Sequence, residues 1–155
     1  MSTSDNNFRR VEWTGDQWHE SDDDGPDGMP LRPRGPGLSA EDLELLKLAA
    51  RALGAVRIEE VEGEAWLNLY FADGSTAWNW NPLLHGDDTL NLSIDLNIEI
   101  RYHLAGNVPG VTATCASDSR VPVCREPWTP AATNKRTATR RAVTRAAAEI
   151  GKAMP

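Results

Sequence analysis

The side chains best suited to recognition fall into three groups. The first is Arg136, Arg140 and Arg141 in the segment NKRTATRRAVTRAAAEIGKA, residues 134–153. Guanidinium forks match phosphate and carboxylate oxygens, and a helix N-terminus also favours negative charge. This segment could therefore hold a nucleotide or another anionic small molecule. The plainer alternative is a solvated basic face that pairs with the acidic remainder of the chain. The second group surrounds the loop NWNPLLHGDD, residues 79–88, with Asn79, Trp80, Asn81, His85 and Asp87. The third is Trp66, Asn68 and Tyr70, which a strand register derived below puts on one sheet face. Aromatic rings give contact area at low entropy cost and amides fix orientation, so these two groups together could recognise a ligand or partner. For the loop the plainer alternative is that Asp87 or Asp88 caps a helix and Pro82 stiffens the turn.

Catalytic chemistry finds little support. Nucleophilic catalysis needs a serine or cysteine beside a histidine base and an orienting acid. His19, His85 and His103 are scattered, and no G-x-S-x-G, P-loop or G-x-G-x-x-G pattern is present. The expectation is a protein that is not an enzyme and uses no cofactor. Cys115, Cys124 and His103 could meet on neighbouring strands, but no C-x-x-C spacing marks a metal site, and none is expected. SDDDGPDG lacks the alternating ligands of a calcium loop. The two cysteines, about three residues out of register across a hairpin, would stand roughly 10 Å apart, too far for a disulfide.

The 155 residues allow one domain with a real core. The net charge of −7 is unevenly spread. Residues 1–44 hold 4 Lys+Arg against 11 Asp+Glu, and residues 134–155 hold 6 against 1. An acidic front with a basic tail argues against non-specific DNA binding by the whole chain. No run approaches the ~20 apolar residues that span a bilayer, and the N-terminus lacks the apolar core of a signal peptide. A soluble, cytoplasmic protein is expected, with no membrane partner.

Residues 1–38, rich in Gly, Pro, Ser and Asp, are expected to form a disordered acidic tail. One aromatic island, FRRVEWTGDQWHE, could fold back on the domain or serve as a short linear motif; the acidic tail could also lie on the basic helix. A single domain over residues 39–155 follows. Ser39 with Asp42 resembles a capping box, and Leu43, Leu46, Ala50 and Leu53 recur at helical spacing up to Gly54, which predicts a helix over 40–53. Glu62-Gly63 and Asp73-Gly74 suit two-residue hairpin turns. The first would pair Val61 with Glu64, Ile58 with Leu67 and Val56 with Leu69. The second would pair Phe71 with Thr76, Leu69 with Trp78 and Leu67 with Trp80. Both put Val56, Ile58, Leu67, Leu69, Phe71, Trp78 and Trp80 on one face and Arg57, Glu59, Val61, Trp66, Asn68, Tyr70, Ala77 and Asn79 on the other.

The stretch TLNLSIDLNIEIRYHL, residues 89–104, alternates like one long strand, yet acids after Gly86 and Asn97 near its middle are helix start and stop signals. Periodicity alone leaves helix or strand open for residues 88–96, with a strand over 98–104. VTATC and VPVC read as a hairpin matching Val121 with Cys115 and Val123 with Ala113. A final helix over 134–150 would bury Ala142, Val143, Ala146, Ala147 and Ile150 and stop at Gly151. The fold class expected is α+β, an antiparallel sheet of about five to six strands packed with about three helices.

WNPL (80–83), the Gly-Asp step that follows and ATRRAVTRAAAEIG (138–151) resemble a family of small bacteriophage and prophage proteins. Its sequences run from WNPL through an acidic DGDAL element to RLAVKL and end in ATRRAIVRAAAEIG. The resemblance covers residues 43–154; here HGDDTL and NLSIDL replace the two middle elements. It favours a helix over 88–96 and implies a phage setting, with no biochemical activity attached. Without a catalytic constellation, the expectation is a non-enzymatic accessory protein that binds a host protein, such as a component of an antiviral defence system. A nucleotide-binding or small-molecule-binding, sponge-like domain built on the arginine-rich helix is the alternative, and a small enzyme with an unrecognised site a further one.

Overall fold

The structure, a computed structural model, describes residues 11–13, 18–20, 38–104, 108–116, 122–128 and 133–154. The chain divides into two units, residues 1–33 and 34–155. In the first, β1 (Val11–Trp13) and β2 (Trp18–Glu20) pair antiparallel, Trp13 opposite Trp18. Both strands fall inside the segment expected to be disordered. Apart from Leu38, the rest of that segment lies outside the described residues.

The second unit runs α1 (Ala40–Ala52), β3 (Ala55–Glu60), β4 (Leu67–Phe71), β5 (Thr76–Trp80), α2 (Gly86–Asp95), β6 (Ile98–His103), β7 (Gly110–Cys115), β8 (Cys124–Pro127) and α3 (Lys135–Ala153). This is an α+β architecture. In place of one sheet, the strands form two three-stranded antiparallel sheets, β3-β4-β5 and β6-β7-β8. The helix inserted between β5 and β6 separates two meanders, each held by its own hairpins. Among the described residues no helix is long and apolar enough to cross a membrane.

α1 begins where the sequence indicates: Ser39 Oγ accepts a hydrogen bond from the Asp42 amide at 3.1 Å, and Gly54 leaves the helix at φ +82°. The first meander departs from the simple hairpin register in three places. Ile58 pairs with Leu69 and Glu60 with Leu67, two residues away from the expected register. A two-residue slip preserves the faces, so Leu67 and Leu69 stay inside. The connection is longer because Ala65 is buried and its carbonyl accepts a bond from the Asn81 side chain, which draws residues 64–66 off the ladder. Next, β3 bulges between Ala55 and Arg57, which turns Val56 out to 66% exposure. Finally, Leu67 pairs with Trp80 but Leu69 pairs with Ala77, so β5 carries an extra residue. Asn79 absorbs it at φ +56°, a conformation asparagine tolerates. Trp80 therefore points into the core, while Trp78, expected inside, turns out to 60% exposure.

The alternating stretch divides at Asn97, which adopts φ +53°. In α2, Thr89, Leu92 and Ser93 face inward with Leu96 just beyond them, the spacing of a helix face; Leu90 and Ile94 are left exposed. In the second sheet Ala113 pairs with Cys124 rather than with Val123. A one-residue shift flips every side chain. It exposes Val123, buries Cys124, and lets Glu126 meet Arg145 on α3. Cys115 and Cys124 are buried, and neither forms a disulfide.

Asn134 caps α3, its side chain accepting from the Thr137 amide at 2.8 Å. The helix does not stop at Gly151 but runs through it to Ala153. A Cβ at Gly151 would overlap the backbone carbonyl oxygen of Leu48 in α1 and lie 2.9 Å from its carbon. The glycine serves close helix approach, not termination. Leu46, Ala49 and Ala50 of α1, Leu67, Leu69 and Trp80 of the first sheet, Leu92 of α2, Val111 and Ala113 of the second, and the alanines of α3 form one core.

Gly151→Ala is expected to lower unfolding free energy by about 2–3 kcal/mol, because backbone cannot yield as a side-chain tip can. Urea denaturation followed by circular dichroism measures this; a loss under about 0.5 kcal/mol would contradict so tight a crossing.

Candidate functional site

α2, β6 and the first two turns of α3 enclose an open groove of about 530 Å³. Its apolar wall is Leu90, Ile100 and Tyr102. Its cations all come from α3: Lys135, Arg136 and Arg140. The Lys135 ammonium stands 4.1 Å above the Tyr102 ring, a cation–π contact that holds both side chains at the groove. Thr139 Oγ1 lies 3.3 Å from the Tyr102 hydroxyl and ties β6 to α3. Among the described residues, no carboxylate pairs with Arg136 or Arg140.

Their neighbours are engaged otherwise. Successive helix positions are rotated by about 100°, so Arg141 points away from Arg140 and bonds to Asp42 at 3.1 Å and Glu41 at 3.2 Å in the first turn of α1. Arg145 bonds to Glu126 in β8. Of the three arginines singled out in the sequence, two reach the groove and Arg141 joins the helix pair instead. Lys135, Tyr102 and Leu90 escaped sequence reasoning. The signal for them was indirect: once residues 88–96 are helical, Leu90 is left without a buried place, and Tyr102 lies on the same strand face as Ile98 and Ile100.

The loop residues have mainly architectural roles. Trp80 is in the core, and Asn81 is fully buried. The Asn81 side chain donates to the Ala65 carbonyl and accepts from the Leu83 amide at 2.9 Å and the Leu84 amide at 3.3 Å. Its own amide donates to Asp88 Oδ2 at 2.9 Å. Asn79 forms the bulge, its amide donating to Asn68 Oδ1 at 3.2 Å. His85 occupies the N-cap position of α2 and Asp87 lies exposed in its first turn. Trp66 lines a separate groove of about 330 Å³ with Leu38, Leu43 and Val61, edged by Glu60, Glu62 and Glu64.

The outer face of the first sheet does gather polar and aromatic groups, with a changed membership. The Arg57 guanidinium lies 3.8 Å over the Tyr70 ring, and Tyr70 meets Trp78 edge to face at 5.8 Å. The Tyr70 hydroxyl donates to Glu59 at 2.6 Å, and Asn68 donates to the same oxygen at 3.5 Å. The bond from Tyr70, then that from Asn68, holds the Glu59 carboxyl below its ordinary pKa. Trp78 joins this face and Ala77 leaves it because of the β5 bulge.

No protein-family model, curated protein or solved structure matches the chain.

Two predictions separate structural from recognition roles. Asn81→Ala would strand the Ala65 carbonyl and the Leu83 amide, while the Leu84 amide keeps its bond to the backbone carbonyl of residue 81, at a cost of about 2–4 kcal/mol, read by urea denaturation. Glu59 is lowered when folded, so its contribution to stability is present above the unfolded carboxylate pKa and lost as pH falls through the lowered folded value. Tyr70→Phe should move the Glu59 titration, followed by NMR of the side-chain carboxyl, back towards ordinary values.

Proposed function

We propose that this chain is a non-enzymatic binding protein that captures an anionic small molecule, a nucleotide among the candidates, in the groove between α2, β6 and α3. One observation carries this reading. Lys135, Arg136 and Arg140 converge on a cavity with an apolar wall and, among the described residues, no carboxylate answers either arginine. Arg141 and Arg145 on the same helix are neutralised within the fold. Guanidinium groups at the start of a helix add their charge to that of the helix dipole, and both favour an anion. The walls supply no nucleophile with a base, so the groove is suited to holding a ligand rather than transforming it. In a phage setting such a protein would act as a sponge that lowers the free concentration of its ligand.

A second reading, docking of a host protein by a phage accessory factor, has its own supporting observation in Trp78. This ring is 60% exposed beside Tyr70 on the outer sheet face. Exposed aromatic anchors are the residues that dominate protein interfaces. The two readings use different surfaces, so Trp78→Ala would break the second and leave the first intact.

Thermal denaturation with AMP or inorganic phosphate at low ionic strength tests the first reading. A ligand at about 100 times its Kd adds about 2.7 kcal/mol to the stability of the folded state, raising Tm by several degrees. Arg136→Ala with Arg140→Ala should abolish the rise and Arg141→Ala should keep it. Salt should weaken the effect, because the cations are solvent-accessible. No rise with any anion, or a rise that survives the double substitution, would overturn the assignment.

A further inference from the structure

We infer that the groove selects an amphipathic anion, with a phosphate or carboxylate head and an aromatic or aliphatic body, over a nucleotide; this rests on the anion-binding reading above. Besides charge, the groove has little hydrogen-bonding capacity to offer a ligand. Four hydroxyl side chains line it, and apart from Tyr102 each already gives its proton to a backbone carbonyl. Thr89 Oγ1 donates to Pro82 O at 2.6 Å and also lies 2.8 Å from His85 O. Ser93 Oγ donates to Leu90 O at 2.8 Å, and Thr139 Oγ1 to Lys135 O at 2.8 Å. A carbonyl can only accept, so these protons are committed inside the protein. Thr89 and Ser93 are themselves buried.

Among the side chains that line the groove, hydrogen-bond donation to a ligand is thus confined to the three cations of α3 and the Tyr102 hydroxyl. The walls from α2 and β6 present Leu90, Ile100 and the Tyr102 ring. Leu90 is 59% exposed and Tyr102 45%, so apolar area stands open to solvent beside the cations. A nucleotide would bring ribose hydroxyls and base edges against these walls and lose hydrogen bonds to water without replacement, whereas an apolar body would lose none. Charge complementarity fixes the head and apolar complementarity the body. The cavity, at about 530 Å³, lies within the range of small-molecule sites.

Isothermal titration of the full chain with 1-naphthyl phosphate, AMP and inorganic phosphate separates the possibilities, since all three carry the same head. The inference expects 1-naphthyl phosphate to bind at least about tenfold more tightly than AMP or inorganic phosphate. Leu90→Asn, at an exposed position, should erase most of that advantage by weakening 1-naphthyl phosphate far more than inorganic phosphate. Arg136→Ala should weaken every ligand that binds. AMP binding as tightly as 1-naphthyl phosphate, or Leu90→Asn leaving the naphthyl preference intact, would overturn the amphiphile assignment and leave the anion site standing. Absence of binding by all three would overturn both.

Discussion

α1 and α3 cross so closely that no side chain fits between them at Gly151, where the backbone of Leu48 occupies the space a Cβ would need. Small residues are buried along both helices: Ala49, Ala50 and Ala52 on α1, and Thr144 and Ala148, on the same side as Gly151, on α3. Dispersion contacts grow with such proximity, and alanine loses no side-chain entropy on burial. The Arg141 bonds to Asp42 and Glu41 fasten the other end of the pair. Because α3 also packs on the second sheet and on α2, its position on α1 sets where its N-terminal turns project. The cations of the groove depend on that placement.

The arginines along α3 show how one basic segment is divided among different tasks. Arg141 and Arg145 meet carboxylates on α1 and β8, and both are part of how the helix is anchored. Arg136 and Arg140 project over the groove. A sequence-level view of the segment sees only clustered positive charge. The helical rotation between Arg140 and Arg141 separates a binding group from a structural one, and that separation becomes visible only once the partners of each face are known.

Much of the fold could be read from local chemistry. Ser39 and Asn97 have side chains or backbone preferences that mark helix boundaries without tertiary help, and their helices fall within a few residues of where those marks put them. The failures share a cause in long-range contacts. Nothing near Val56 or Trp78 announces a bulge; Trp78 turns outward because Asn79 takes a left-handed conformation that seats Trp80 in the core. Gly151 looks like a helix stop until Leu48 is seen against it. The single-residue shift of β8 follows from packing against α3, which an alternating strand pattern cannot encode. The groove was half legible for the same reason: its charges lie together in the sequence, whereas Leu90, Ile100 and Tyr102 join them only after α2 is recognised as a helix and β6 is laid beside it.

The central claim is that ligand capture takes place at the start of α3. Chemical-shift mapping of the 15N-labelled protein, titrated with 1-naphthyl phosphate, tests it most directly, because it reports position as well as affinity. The account predicts saturable shifts confined to the amides around Thr89, Leu90, Ser93, Tyr102, Arg136 and Arg140, with Arg57, Tyr70 and Trp78 unmoved. Shifts centred on the outer face of the first sheet, or no saturable shifts at all, would contradict it.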